Sequence, residues 1–234
     1  MTGGRLSNRV ILVTGASRGL GRAIALACAA DGAAVIGASR SAAPSGSLAP
    51  GEVTSAHLDV RNPASVDALY AFVDRTAGRV DALVNSAGAF AFKPIDELSL
   101  DEWTRVIDTN LTGAFLCSAA ALARMKKAGG GRIVTIGSIA GRLPLVECGA
   151  YGASKFGVRG LSQVLTEEGK AHGVFATLVS LGAVNTGAFE GRAGFDPAEM
   201  LSVEDVAEAV VEVLAKRARV RVDEVELMPP KGIL

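Results

Sequence analysis

Short apolar runs rich in valine, isoleucine and leucine alternate with stretches of helical periodicity along almost the whole chain. The run Val10-Ile11-Leu12-Val13 ends at Thr14-Gly15, and Leu20 to Ala30 then repeats its apolar residues at helical spacing. A second strand is predicted at Ala33 to Ala38. Ser41 to Gly51, rich in Ser, Pro, Gly and Ala, reads as a loop in place of a full crossover helix. Val53 to Leu58 is a third strand, and Asn62-Pro63 opens a helix with proline in its first turn. Further strands are predicted at Val80 to Val84, Ile133 to Ile136, Val174 to Ser180 and Val225 to Leu227. Leu100 to Lys127 holds one long helix stopped by Gly129-Gly130-Gly131, and Gly149 to His172 another. A last helix runs from Ser202 to about Lys216, with Glu204 and Asp205 in the turn where the helix dipole favours acids.

Strands and helices in strict alternation imply right-handed crossovers and a parallel sheet covered on both faces. The expected class is α/β: a single-domain, Rossmann-type, doubly wound parallel sheet of about seven strands. No repeat and no long linker divides residues 1–234.

Composition narrows the picture. Hydrophobic residues make up 49% and aromatics 5%, so the core is built from small aliphatic side chains packed closely. The 24 basic and 24 acidic residues cancel, which disfavours nucleic acid or an anionic membrane as partner. Cys28, Cys117 and Cys148, with His57 and His172, have neither disulfide nor metal-site spacing. The N-terminus lacks the apolar core of a signal peptide, so a cytoplasmic protein is expected.

Chemistry begins at Thr14-Gly15-Ala16-Ser17-Arg18-Gly19-Leu20-Gly21, between the first strand and first helix. Glycines there permit a tight turn and close backbone approach to a pyrophosphate, and the helix start offers free N–H groups. After the second strand, where an acid would bind a ribose 2′-hydroxyl, the chain has Ser39-Arg40. With Arg18, this makes two guanidinium groups suited to a 2′-phosphate, which favours NADPH over NADH. Tyr151 and Lys155 lie four apart at the start of a helix, on one face, and Ser138 follows a strand at its carboxyl end. A nearby ammonium favours the phenolate, so such a tyrosine can exchange a proton with a substrate oxygen.

These segments, with Leu58-Asp59-Val60, Asn85-Ser86-Ala87-Gly88 and Asn110, stand in the order seen in short-chain dehydrogenase/reductases, and the chain resembles that family from about Arg5 to Pro229. The resemblance implies an NADP(H)-dependent oxidoreductase of the carbonyl reductase type, acting on a small carbonyl or alcohol. It assigns the pyrophosphate loop to Gly15, Ser17, Arg18, Gly19, Leu20 and Gly21. Asp59 and Val60 fall to the adenine, and Asn85, Ala87 and Gly88 to the segment beneath the adenosine half. Asn110 matches the holder of a relay water, Ser138 the residue steadying the substrate oxygen, and Tyr151 the acid/base. Lys155 would bind the nicotinamide ribose and lower the tyrosine pKa, while Val184 and Thr186 would lie near the carboxamide. The family's Pro-Gly appears here as Leu181-Gly182, which leaves the following backbone less constrained.

Gly187 to Met200 reads as a glycine-containing substrate flap, and Phe90, Phe92, Leu143, Val146 and Phe189 as an apolar pocket. The family also implies a homodimer or homotetramer packed through the helices Leu100–Lys127 and Gly149–His172. Two alternatives stand beside the reductase: a non-catalytic NADP(H)-binding regulator, and an epimerase or dehydratase of the same fold.

Overall fold

Strands whose residues are apolar on both faces belong in the middle of a covered sheet, and the computed structural model, which describes residues 3–42, 48–187 and 196–233, places them there. The strands are β1 (Val10–Thr14), β2 (Ala34–Ser39), β3 (Val53–His57), β4 (Ala82–Asn85), β5 (Gly131–Ile136), β6 (Val174–Leu181) and β7 (Glu224–Leu227). All pair in parallel, in the order β3-β2-β1-β4-β5-β6-β7. The order reverses direction between β1 and β4, so a crevice opens there at the carboxyl ends of the strands.

The helices are α1 (Gly19–Ala30), α2 (Pro63–Thr76), α3 (Leu100–Ile107), α4 (Gly113–Ala128), α5 (Gly149–Gly169) and α6 (Val203–Ala215). Alternation along β1 divides the core. Ile11 and Val13 join Ile24 of α1 and Val206 and Val210 of α6 on one side. Leu12 joins Leu69 and Tyr70 of α2 and Cys117 and Met125 of α4 on the other. Asn62 caps α2 through its side-chain oxygen, and Ser99 and Glu102 form a reciprocal capping box on α3.

The structure corrects the reading of one uninterrupted helix over Leu100 to Lys127. Residues Asp108–Thr112 widen into a π-helical turn between α3 and α4. Two long-range contacts fix the break. Asn110 bonds outside its own helix, and at Gly113 a β-carbon would lie 2.7 Å from Val60 Cγ2. The predicted helix to His172 likewise ends as α5 at Gly169, followed by a 3₁₀ turn, Lys170–His172. The described residues between β2 and β3 carry no helix, and residues 43–47 of the predicted loop lie outside the described residues.

Candidate active site

At the switch point the glycine turn is locked to its neighbour. Gly15 has φ +72°, and a β-carbon on it would sit 2.8 Å from the backbone of Ala87. Thr14 Oγ1 accepts the N–H groups of Ser86 and Ala87, each at 3.2 Å, tying the end of β1 to the loop after β4. Gly21 stands under Gly15, whose carbonyl oxygen is 2.4 Å from where a β-carbon would be. Gly19 (φ +54°) faces Thr186, whose Cβ and carbonyl oxygen would lie 3.8 and 3.9 Å from its β-carbon position. The Arg18 side chain does not cap α1, so the first N–H groups of the helix point outward beside exposed Ser17 and Arg18, with half-buried Leu20 behind them. These are the conditions for an anion at a helix start, and a nicotinamide dinucleotide fits them: a cradle closed to any side chain, with free donors on its rim.

Ser39 is buried at the end of β2, and Arg40 is exposed just beyond it. The Asp59 carboxylate is already engaged. It accepts from Arg61 Nε (2.9 Å), Nη2 (2.6 Å) and backbone N–H (3.1 Å), and the Arg61 guanidinium holds its pKa down at about 2, with Arg40 a minor contributor. An adenine amino group there would share an occupied carboxylate. Val60 is buried against Gly113, and Gly88 is exposed above Asn110. Asn85 donates to Ser118 Oγ (2.8 Å) and Thr135 Oγ1 (3.3 Å), binding β4 to β5 and α4, while its Oδ1 is buried without a partner among the described residues.

The four residues of the predicted catalytic set converge. The Ser138 and Tyr151 hydroxyls share a hydrogen bond, and Ser138 Oγ also accepts the Ala140 N–H at 3.1 Å. Lys155 is buried, with Nζ 2.7 Å from the Ile136 carbonyl and 5.4 Å from the centre of the Tyr151 ring. Asn110 clamps Ala89 from both sides, accepting its N–H (2.7 Å) and donating to its carbonyl (3.0 Å). Its Nδ2 also reaches Ser154 Oγ (3.0 Å), which in turn donates to the Tyr151 carbonyl (2.7 Å). Asn110 therefore positions both the loop after β4 and the first turn of α5.

One expectation changes. Burial pushes the Tyr151 phenol up to about 12, and the Ser138 hydrogen bond only partly opposes it. Burial also draws Lys155 down to about 8. In the protein by itself desolvation is the largest influence on the phenol, and it raises rather than lowers it.

Beside Tyr151 stand Phe90 and Phe92, with ring centres 4.9 and 6.2 Å from the tyrosine ring. Arg105 holds this loop by donating to the Phe90 carbonyl at 2.8 Å. Leu143 is half-buried and Glu147 is left-handed (φ +61°), whereas Val146 is 91% exposed and so does not wall the pocket. Phe189 and residues 188–195 of the predicted flap lie outside the described residues, as do residues 43–47. In the remainder of the flap segment Asp196 caps a 3₁₀ turn, Pro197–Glu199. Nor does the missing proline loosen the strap after β6. Val184 bridges Leu201, and the Leu201 N–H reaches the Ala183 carbonyl at 3.0 Å.

Thr14, Ser154, Arg61 and Arg105 were not singled out from sequence. Thr14 and Ser154 sit inside the quoted motifs, but their partners lie 72 and 44 residues away.

A parallel sheet with a side-chain-free cradle at its crossing point, and a phenol and ammonium beside that cradle, defines a dinucleotide-dependent oxidoreductase. The chain belongs to the short chain dehydrogenase family, whose model matches residues 9–194. It is 43% identical to D-threitol dehydrogenase of Mycolicibacterium smegmatis over 182 residues, 75% of this chain and 70% of that protein. An alcohol dehydrogenase from the archaeon Thermococcus sibiricus, complexed with 5-hydroxy-NADP, superposes with a TM-score of 0.83 at 30% identity, covering 94% of this chain and 95% of that one. A metagenomic short-chain oxidoreductase in complex with NADP gives 0.80 at 31% identity, covering 96% and 98%. The regulatory and epimerase readings find no counterpart among these relatives.

Proposed function

We propose that the chain is an NADP(H)-dependent carbonyl reductase, reversible as an alcohol dehydrogenase, with Tyr151 as proton donor. The Ser138–Tyr151 hydroxyl pair beside buried Lys155 carries this reading. When bound, the nicotinamide supplies the hydride, and the residues of the chain manage the oxygen and the proton. Ser138 and Tyr151 both donate to the substrate carbonyl oxygen and orient the carbon toward the cradle. As negative charge grows on that oxygen, Tyr151 Oη transfers its proton, and the phenolate left behind faces the Lys155 ammonium. A phenol with its pKa near 12 is held protonated at neutral pH, as an acid in reduction requires. Gly15, Gly19 and Gly21 admit the pyrophosphate, Arg18 and Arg40 favour the 2′-phosphate, and Thr186 faces the cradle across from Gly19.

Phe90 and Phe92 give the substrate an apolar wall, so ketones and aldehydes with an apolar substituent are expected to turn over faster than polyols or sugars. The test monitors loss of reduced-cofactor absorbance with NADPH and NADH across aldehydes, ketones, keto acids and polyol-derived ketoses. Turnover with NADPH, at a kcat/KM at least tenfold above NADH, is expected. A panel without turnover, or an NADH preference, counts against the proposal.

Exposed Phe115 on α4 and Phe156 and Val164 on α5 support assembly as a homodimer or homotetramer through these helices. Light scattering at micromolar concentration is expected to give a multiple of the 23.8 kDa chain mass. A monomer mass would refute the assembly. A reducing cytoplasmic setting accords with three buried cysteine thiols.

A further inference from the structure

Residues 89–93, which carry the two phenylalanines beside Tyr151, are fastened at three points to α3 and the wide turn that follows it. Asn110 holds Ala89 through both its N–H and its carbonyl. Arg105 Nη2 donates to the Phe90 carbonyl at 2.8 Å, and Lys93 Nζ pairs with the Glu102 carboxylate at 2.7 Å. The far end is also stitched to the approach to α5, where the Lys93 N–H donates to the Glu147 carbonyl at 3.0 Å. Between these fastenings Ala91 is buried with Val106 of α3 and Ala150 of α5. Phe90 and Phe92 stack on one another, with ring centres 5.8 Å apart, beside the tyrosine.

Glu102 and Arg105 lie three apart on one face of α3. Their tasks differ. Glu102 also closes the capping box with Ser99, so its hold on Lys93 is part of how the helix begins. Arg105 is exposed, and among the described residues its side chain has one partner, the Phe90 carbonyl, and no carboxylate. It therefore adds nothing to the core. What its bond fixes is the Phe90 backbone, and through it a ring whose centre lies 4.9 Å from that of Tyr151.

We infer that Arg105 is a positioning residue for substrate selection, holding the Phe90 wall where it receives an apolar substituent on the carbonyl carbon. The inference rests on the carbonyl reductase reading of the site and adds a determinant of its specificity. Phe90 meets the substituent alike in the ground state and the transition state, so the Arg105 bond acts on KM and leaves kcat in place. A carbonyl compound too small to reach the ring does not feel the bond at all.

The test compares reduction of benzaldehyde and acetaldehyde by NADPH in wild type, Arg105→Met, Arg105→Lys and Thr104→Ala, the last an exposed neighbour on α3. Arg105→Met keeps the apolar stem of the side chain and removes its donors. It is expected to raise the KM for benzaldehyde at least fivefold with kcat within twofold, while both constants for acetaldehyde stay within twofold. Arg105→Lys retains a donor and is expected to recover part of the KM, and Thr104→Ala to move neither substrate. Losses of equal size for the two aldehydes would mean that Arg105 serves the fold alone. No change in either would mean that Phe90 keeps its place without the bond. Each of these results overturns the inference and leaves the reductase reading intact, whereas a wild type that reduces neither aldehyde overturns both.

Discussion

Tyr151→Phe is expected to lower kcat for carbonyl reduction by about 10²–10⁴-fold, the span that a positioned proton donor contributes. The ring stays, so its packing on Phe90 is kept and only the hydroxyl that meets Ser138 is lost. The NADPH Kd is expected to stay within twofold, which separates loss of chemistry from loss of binding. The pH profile of the wild type adds a second check. Lys155 has its pKa drawn down to about 8 by burial, so its positive charge is lost as pH rises through that value. Tyr151, at about 12, remains a phenol throughout that range. Reduction is therefore expected to hold level below pH 8 and to fall above it, with the limb set by the lysine. A limb that appears only near pH 10 or beyond would contradict the assignment to buried Lys155.

Gly21→Ala is expected to cost more than its single methyl group suggests. The new carbon would lie 2.4 Å from the Gly15 carbonyl oxygen, a backbone atom at the end of β1. Relief requires moving α1 away from the turn, with an overpacking cost of about 1–3 kcal/mol. The same shift moves the free N–H groups off the anion position, so the NADPH Kd is expected to rise at least tenfold. Thermal melting and titration measure the two effects. Gly160→Ala on α5 marks the contrast within one chain: its β-carbon meets nothing within 4 Å, so the overpacking at Gly21 does not arise there. If Gly21→Ala melted like the wild type and bound NADPH as well, the close-approach account of this turn would be wrong.

The parts of this molecule that sequence revealed are those encoded locally. Val10 to Val13, Val174 to Ser180 and the capped start at Ser202 carry their structure in their own periodicity and end signals, and the strands fall within a residue or two of their predicted limits. The loop glycines were legible because tight turns admit little else. The break at Asn110 was not legible. Leu100 to Lys127 is apolar on helical spacing throughout, and the interruption is made by partners far along the chain: Ala89, Ser154 and Val60. The depression expected for Tyr151 failed for a related reason. Spacing reports that a lysine is near, but not how much water both groups have lost. The bond of Arg61 to Asp59 spans two residues, yet nothing local says that the guanidinium turns back on the carboxylate rather than into solvent.

The π-helical turn at Asp108–Thr112 has a bearing on how this chain tolerates change in length. An α-helix advances about 100° per residue, and a π turn takes up one residue more than an α turn. Deleting a single residue between Asp108 and Thr112 would restore an unbroken α-helix and keep every strand, loop and cap. Because the wide turn spreads one rotation over that extra residue, α3 would keep its phase on α4 and Val106 its place against Ala150, and the loss would fall on Asn110, whose side chain reaches Ala89 and Ser154 from inside the wide turn. The chain thus holds one surplus residue whose effect is local: the helices on either side stay in phase while Asn110 is set out of their regular winding to anchor the site. A one-residue deletion there would act on that anchorage rather than on the helices that flank it.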